Sequence, residues 1–139
     1  MKVELSKEAL DIGLVTHNGT SMLGFYSLIL GFEKVGEVPF PGLGTVNKFN
    51  CGLSQIKILV LENPPQNENI RGNFTASSGY RYCTLNVRNL LDIVEGCSTN
   101  NHIIQTLPRE IREGVTVAII EDPDGNLIEL MQDNNLWMM

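Results

Sequence analysis

The sequence is poor in several things that would each point to a function. No apolar run approaches the ~18 residues that cross a bilayer as a helix, and Met1 to Leu10 alternates charge with apolar residues, without the apolar core of a secretory signal. Cysteine occurs three times, at 51, 83 and 97, with no CxxC or CxxxC spacing, so neither a zinc ribbon nor a disulfide framework can be read. Reduced thiols in a cytoplasmic protein are the expectation. Histidine occurs only twice, at 17 and 102. Basic residues are outnumbered, 10 against 16 acidic, for a net charge of −6. A chain of this sign gains nothing from neutralising phosphates, which excludes nucleic acid as a natural partner. No Gly-rich phosphate loop or Ser/His/Asp set appears, since Gly42-Leu43-Gly44 reads only as a turn.

What is present is the composition of an ordinary globular domain, 139 residues with 42% hydrophobic and 19% charged side chains, long enough for a core without staples. Residues 9–16 read as a strand. Asn18 and Thr20 are helix-start residues, and Met22, Phe25, Tyr26, Ile29 and Leu30 follow at helical spacing. Gly31 ends that helix, because glycine takes a left-handed conformation without a Cβ penalty. Strands are expected over 33–39, 44–51 and 55–62. Residues 63–79, rich in Asn, Pro and Ser, offer little to pack and read as a linker or long mobile loop. The order then repeats: a strand over 82–87, a short helix over 89–100, a strand over 102–107, and a hairpin of 115–121 with 127–131. The hairpin turns on Asp122-Pro123-Asp124-Gly125-Asn126, where Pro presets φ and Gly accepts φ > 0. Strand, helix and three strands, twice over, is the signature of a duplicated module. The fold class is therefore α+β, with module one at about 9–62, the linker at 63–79 and module two at about 80–132.

Three segments carry a family resemblance. They are Asp11-Ile-Gly-Leu-Val with Phe25-Tyr26 and Leu30-Gly31-Phe32; Tyr82-Cys-Thr-Leu-Asn-Val; and Glu121-Asp-Pro-Asp-Gly-Asn-Leu-Ile-Glu129-Leu. Together they resemble the vicinal-oxygen-chelate superfamily of glyoxalases, bleomycin-resistance proteins and extradiol dioxygenases, over nearly the whole chain. The resemblance implies two tandem βαβββ modules that form a curved mixed sheet around a ligand cup. It also implies four inward side chains, His or Glu in the family, holding a divalent metal. Carried over by motif, those positions fall on Asp11, Lys57, Tyr82 and Glu129. The spacings from Asp11 to Lys57 and from Tyr82 to Glu129 differ by one residue, with Leu59 as the competing choice for Lys57.

This chain departs from the pattern, because none of the four is histidine. An ammonium has no lone pair and repels a cation, and a neutral tyrosine hydroxyl is a poor ligand. No metal or other cofactor is therefore expected. Lys57 either joins Asp11 and Glu129 in place of the ion, with the Tyr82 hydroxyl nearby, or points to solvent from an edge strand, where lysines block pairing. Arg109 and Arg112 either meet an anionic ligand or form a solvated run. His17 and His102 read as loop or surface residues.

The expected partner is a small organic molecule, held without chemistry as in bleomycin-resistance proteins. The alternative is a metal-dependent lyase or isomerase of the lactoylglutathione lyase type with Glu129 as base; a dioxygenase would need histidine ligands. The resemblance also implies a homodimer, and Leu136-Trp137-Met138-Met139 could dock on the partner copy. A cytoplasmic location, with no membrane partner, follows from the absent signal and apolar runs.

Overall fold

The computed structural model describes residues 1–137, the last of them in backbone only. The chain divides into two compact units, Met1–Asn67 and Glu68–Met139, each described by itself. Both follow one order of elements.

The first unit runs β1 (Ile12–Thr16), α1 (Gly19–Gly24) continued by a π-helical turn (Phe25–Ile29), β2 (Glu33–Phe40), β3 (Gly44–Cys51) and β4 (Ser54–Leu61). Its sheet has the order β1-β4-β3-β2, with β1 parallel to β4 and the rest antiparallel. The parallel pair exists because α1 carries the chain back across the sheet between β1 and β2. The expected helix is present. Its start is organised differently from a side-chain cap: Thr16 Oγ1 accepts from the Asn18 amide at 2.8 Å, while the Asn18 side chain makes no cap bond. Gly31 terminates the helix at φ 73° as expected.

Period-two alternation sorts the sheet into two faces. Ile56, Ile58 and Phe49 lie on the helix side, and with Met22, Phe25 and Tyr26 they form a core whose members are all under 8% exposed. Burying each such side chain stabilises the fold by roughly 1.5–3 kcal/mol. Asn47 is buried in the same layer, and its amide donates to the carbonyls of Thr45 and Ile58 at 3.2 and 3.3 Å. Lys57, Leu59 and Val46 occupy the opposite face.

The second unit repeats the plan: β5 (Tyr82–Asn86), α2 (Leu90–Thr99), β6 (Ile104–Arg112), β7 (Val115–Glu121) and β8 (Leu127–Asp133), in the sheet order β5-β8-β7-β6. A short helix α3 (Asn134–Trp137) follows. Leu90, Val94 and Cys97 of α2 meet a layer of Ala118, Ile120, Ile128 and Leu130, all nearly or fully buried. The strand expected over 102–107 runs on to Arg112, through Pro108. This is possible because β6 is an edge strand whose register slips at three places, so the missing proline N–H breaks no regular ladder. The two βαβββ orders and their two four-stranded mixed sheets are the α+β class read from the sequence.

The 122–126 turn forms as expected and is fastened by its first residue. Asp122 is 2% exposed. Its Oδ1 accepts from the amides of Asp124 and Asn126, and its Oδ2 from the Asn126 side chain, each at 2.9 Å.

The segment read as a linker differs from that expectation beyond residue 68, where it belongs to the second unit and is tied to it. Asn69 donates to the Asp124 carbonyl and Asn126 Oδ1, and Arg71 Nη2 donates to the Pro123 carbonyl at 2.7 Å. Arg81 donates to the carbonyls of Ile70 and Asn73. Composition gave no sign of this, since the ties are long-range bonds between polar side chains and backbone carbonyls. Among the described residues, no helix is long and apolar enough to cross a membrane.

Candidate functional site

The first unit brings Asp11 and Lys57 together. β4 lies between β1 and β3 and is not an edge strand, so Lys57 has a neighbour on both sides. Its partner in β1 is Gly13, which has no side chain, and its partner in β3 is Lys48. Like charges directly opposite repel, and Lys57 Nζ stands instead 3.6 Å from Asp11 Oδ2. Asp11 lies two residues before Gly13 and so shares its face. The other carboxylate oxygen accepts from Lys7 Nζ at 2.6 Å and from the Gln55 amide at 2.8 Å. These contacts hold the Asp11 carboxyl below its ordinary range. The Lys7 bond acts most strongly and the Gln55 amide next; slight desolvation opposes them, and the charges of Lys7 and Lys57 assist. The sequence reading missed Lys7, whose one legible signal was a charge opposite to Asp11 four positions earlier.

The second unit holds Tyr82 and Glu129 on one sheet face. Tyr82 pairs with Leu127, and Thr84 pairs with Glu129, in the parallel β5–β8 ladder. Thr84 Oγ1 donates to Glu129 Oε1 at 2.8 Å. Glu129 is opposed in β7 by Ile119, which faces Thr106 of β6. One row thus crosses the sheet as Thr84, Glu129, Ile119 and Thr106. The adjacent row contains Tyr82, Leu127 and Glu121. Glu121 is 6% exposed, with Arg71 Nη1 at 4.0 Å from its Oε1.

Tyr82 is half exposed and does not stand alone: Phe74 stacks on it with ring centroids 4.4 Å apart and planes at 29°. A cleft of about 230 Å³ opens beside this pair, lined by Phe74, Thr75, Gln105, Thr106, Ile119 and Leu127. Phe74 and Thr84 are the residues missed here. Thr84 was legible, two places after Tyr82 on the same face; Phe74 was hidden in the apparent linker.

By strand register Arg109 and Arg112 pair with Val117 and Val115, on the same sheet face as Ile119 and Glu129. Arg109 and Arg112 are exposed residues of edge strand β6, and Arg109 borders a second cleft of about 400 Å³ with Leu91, Pro108 and Gln132. His17 is exposed just after β1, and His102 lies in the turn that follows α2. Cys51, Cys83 and Cys97 form no disulfide, and burial pushes the thiols of Cys51 and Cys97 up. Of the apolar C-terminus, Leu136 is exposed, whereas the Trp137 side chain, Met138 and Met139 lie outside the described residues. Among the described residues, no three His, Cys, Asp or Glu side chains come together as a metal would require.

Duplicated βαβββ units, with polar side chains on the sheet face that the helix leaves uncovered, define a class of small α+β proteins. The family model of the Glyoxalase/Bleomycin resistance protein/Dioxygenase superfamily matches residues 10–130, and the chain belongs to that superfamily. A glyoxalase family protein from Bacillus cereus superposes with TM-score 0.81 at 15% identity, covering 95% of this chain and 97% of the other. A glyoxalase family protein from Enterococcus faecalis gives 0.65 at 20% identity, with 92% and 96% covered. A lactoylglutathione lyase from Agrobacterium tumefaciens gives 0.62 at 17%, with 97% and 100% covered. At these identities the likeness is one of fold. No curated protein matches the chain by sequence.

Proposed function

We propose that this chain is a member of the superfamily with a degenerate metal site, binding a small organic molecule without a divalent ion. The observation that carries the reading is the ammonium of Lys57 at 3.6 Å from Asp11 Oδ2. A divalent cation does not fit this donor set. Lys57 has no lone pair to give, its charge opposes a second cation, and both oxygens of Asp11 already face ammonium groups. No step is therefore routed through a metal. What the residues supply is recognition: an apolar and aromatic sheet face with a few fixed polar groups, the general composition of a ligand site. Glu129, fixed by Thr84, orients a ligand on that face.

The second reading is a metal-dependent lyase or isomerase in which Glu129 removes a proton next to a carbonyl. The half-buried, hydrogen-bonded carboxylate favours it; the lysine at a family ligand position opposes it. The proposal includes a cytoplasmic location, supported by three cysteines that form no disulfide, and a homodimer, supported by exposed Leu107, Ile111 and Leu136. Light scattering on a sizing column tests the dimer by returning twice the 15.4 kDa chain mass.

The functional test is a thermal shift screen of small organic compounds, run with and without EDTA. The expected result is a set of compounds that raise Tm equally in both. Stabilisation that vanishes with EDTA and returns with Mn²⁺, Ni²⁺ or Zn²⁺ would replace this reading with the second.

A further inference from the structure

Among the carboxylates on one sheet face of the second unit, Glu121 and Glu129 are treated differently. Glu121 is buried and has Arg71 Nη1 at 4.0 Å. Glu129 is half-buried, and the neutral hydroxyl of Thr84 donates to its Oε1. Among the described residues of the second unit, no ammonium or guanidinium stands within ion-pair distance of Glu129. A carboxylate partly withdrawn from water without a counter-charge is costly, and a cation arriving there recovers that cost.

The surroundings say which kind of cation. Ile119, directly opposite Glu129, and Leu127, two residues before it on the same face, both line the cleft of about 230 Å³. At the far side Phe74 is stacked on Tyr82, and Tyr82 pairs with Leu127. Phe74 and Tyr82 are 37% and 54% exposed, so surface remains for a ligand to stack on. Aromatic faces attract cations and flat rings alike. The loop that presents Phe74 is held by Arg81 through the carbonyls of Ile70 and Asn73, so Phe74 is already placed before a ligand arrives. The chain's net charge of −6 favours the same sign of partner.

From this juxtaposition we infer that the face takes a flat organic cation, with its ring against the Phe74–Tyr82 pair and its amidinium or ammonium on Glu129. The inference rests on the metal-independent reading above and gives the chemical class of its ligand.

The test compares benzamidine, cationic at neutral pH, with benzamide, its near-isosteric neutral counterpart, by calorimetric titration of the full chain. Benzamidine binding about tenfold tighter than benzamide is the expected result, because one charge pair at a partly screened site is worth that order. The preference should disappear in Glu129→Gln, whereas Phe74→Ala should weaken both compounds and leave their ratio intact. Equal binding of the two by the wild-type chain, or a ratio unchanged in Glu129→Gln, would overturn the inference. The wild-type comparison needs no variant to fold. A parallel titration with Ni²⁺ separates the two layers of the argument. Stoichiometric Ni²⁺ that competes with benzamidine overturns the metal-independent reading, on which the inference stands. Neither Ni²⁺ binding nor a benzamidine preference overturns the inference alone.

Discussion

Asp11 shows how much of this protein is decided by single side chains. With Lys7 and Gln55 bonded to one oxygen and Lys57 beside the other, its carboxyl is held low. A group lowered on folding contributes stability above its unfolded value and loses it as pH falls through the folded one. Asp11→Asn should therefore flatten the acid limb of the stability curve below about pH 5, measured by urea unfolding. An acid limb identical to the wild type would show that the contacts do not persist in solution. Asp122 is a sharper case, since its carboxylate accepts from two amides and a side-chain amide while nearly buried. Asp122→Ala should cost about 2 kcal/mol, read as a lower urea midpoint. Gly44 is required for a different reason: a Cβ there would lie 2.1 Å from the Val60 carbonyl oxygen. Gly44→Ala should cost about 3 kcal/mol through the forced separation of β3 and β4. Of these three residues, Asp122 was legible as a turn former and Asp11 as a site residue. The need for glycine at 44 was not, because the clash involves a strand partner 16 positions away (60 − 44).

At the scale of elements, the repeat was the legible part. Strands, helices and the 122–126 turn fall within a few residues of expectation, since period-two and helical spacings report which face meets the core. The departures have local causes. The first strand begins at Ile12 rather than near residue 9. The helix closes in a π turn, with the Leu30 amide reaching the Phe25 carbonyl at 3.0 Å. Strand β6 continues past Pro108 because its outer edge needs no donor. The largest departure is the 68–81 segment, whose polar composition suggested a linker. Its side chains bind the distant 122–126 turn, and no one-dimensional pattern records such pairings. Arg71→Ala removes the bond to the Pro123 carbonyl and the approach to Glu121. It should speed amide exchange over 69–75 while leaving exchange in β7 and β8 almost unchanged. Leu130→Ala, in a fully buried position against α2, should cost about 3 kcal/mol and be felt throughout the second unit.

For the molecule as a whole, the family match over residues 10–130 assigns the chain to a superfamily of diverse chemistries, so function must be argued from side chains. Family motifs marked Asp11, Lys57, Tyr82 and Glu129. The structure puts the first two within ion-pair distance and sets the second two on one sheet face, with Phe74 and Thr84 as their immediate partners. On the proposed function, the Lys57 ammonium beside Asp11 stands where a divalent metal would otherwise be held. Elemental analysis of the purified protein tests it most directly, after incubation with Fe²⁺, Mn²⁺, Ni²⁺ or Zn²⁺ and exhaustive dialysis. The account predicts far less than one equivalent of any metal per chain. One equivalent retained, and lost again in Glu129→Gln, would contradict it and make a metal-dependent lyase or isomerase the better account.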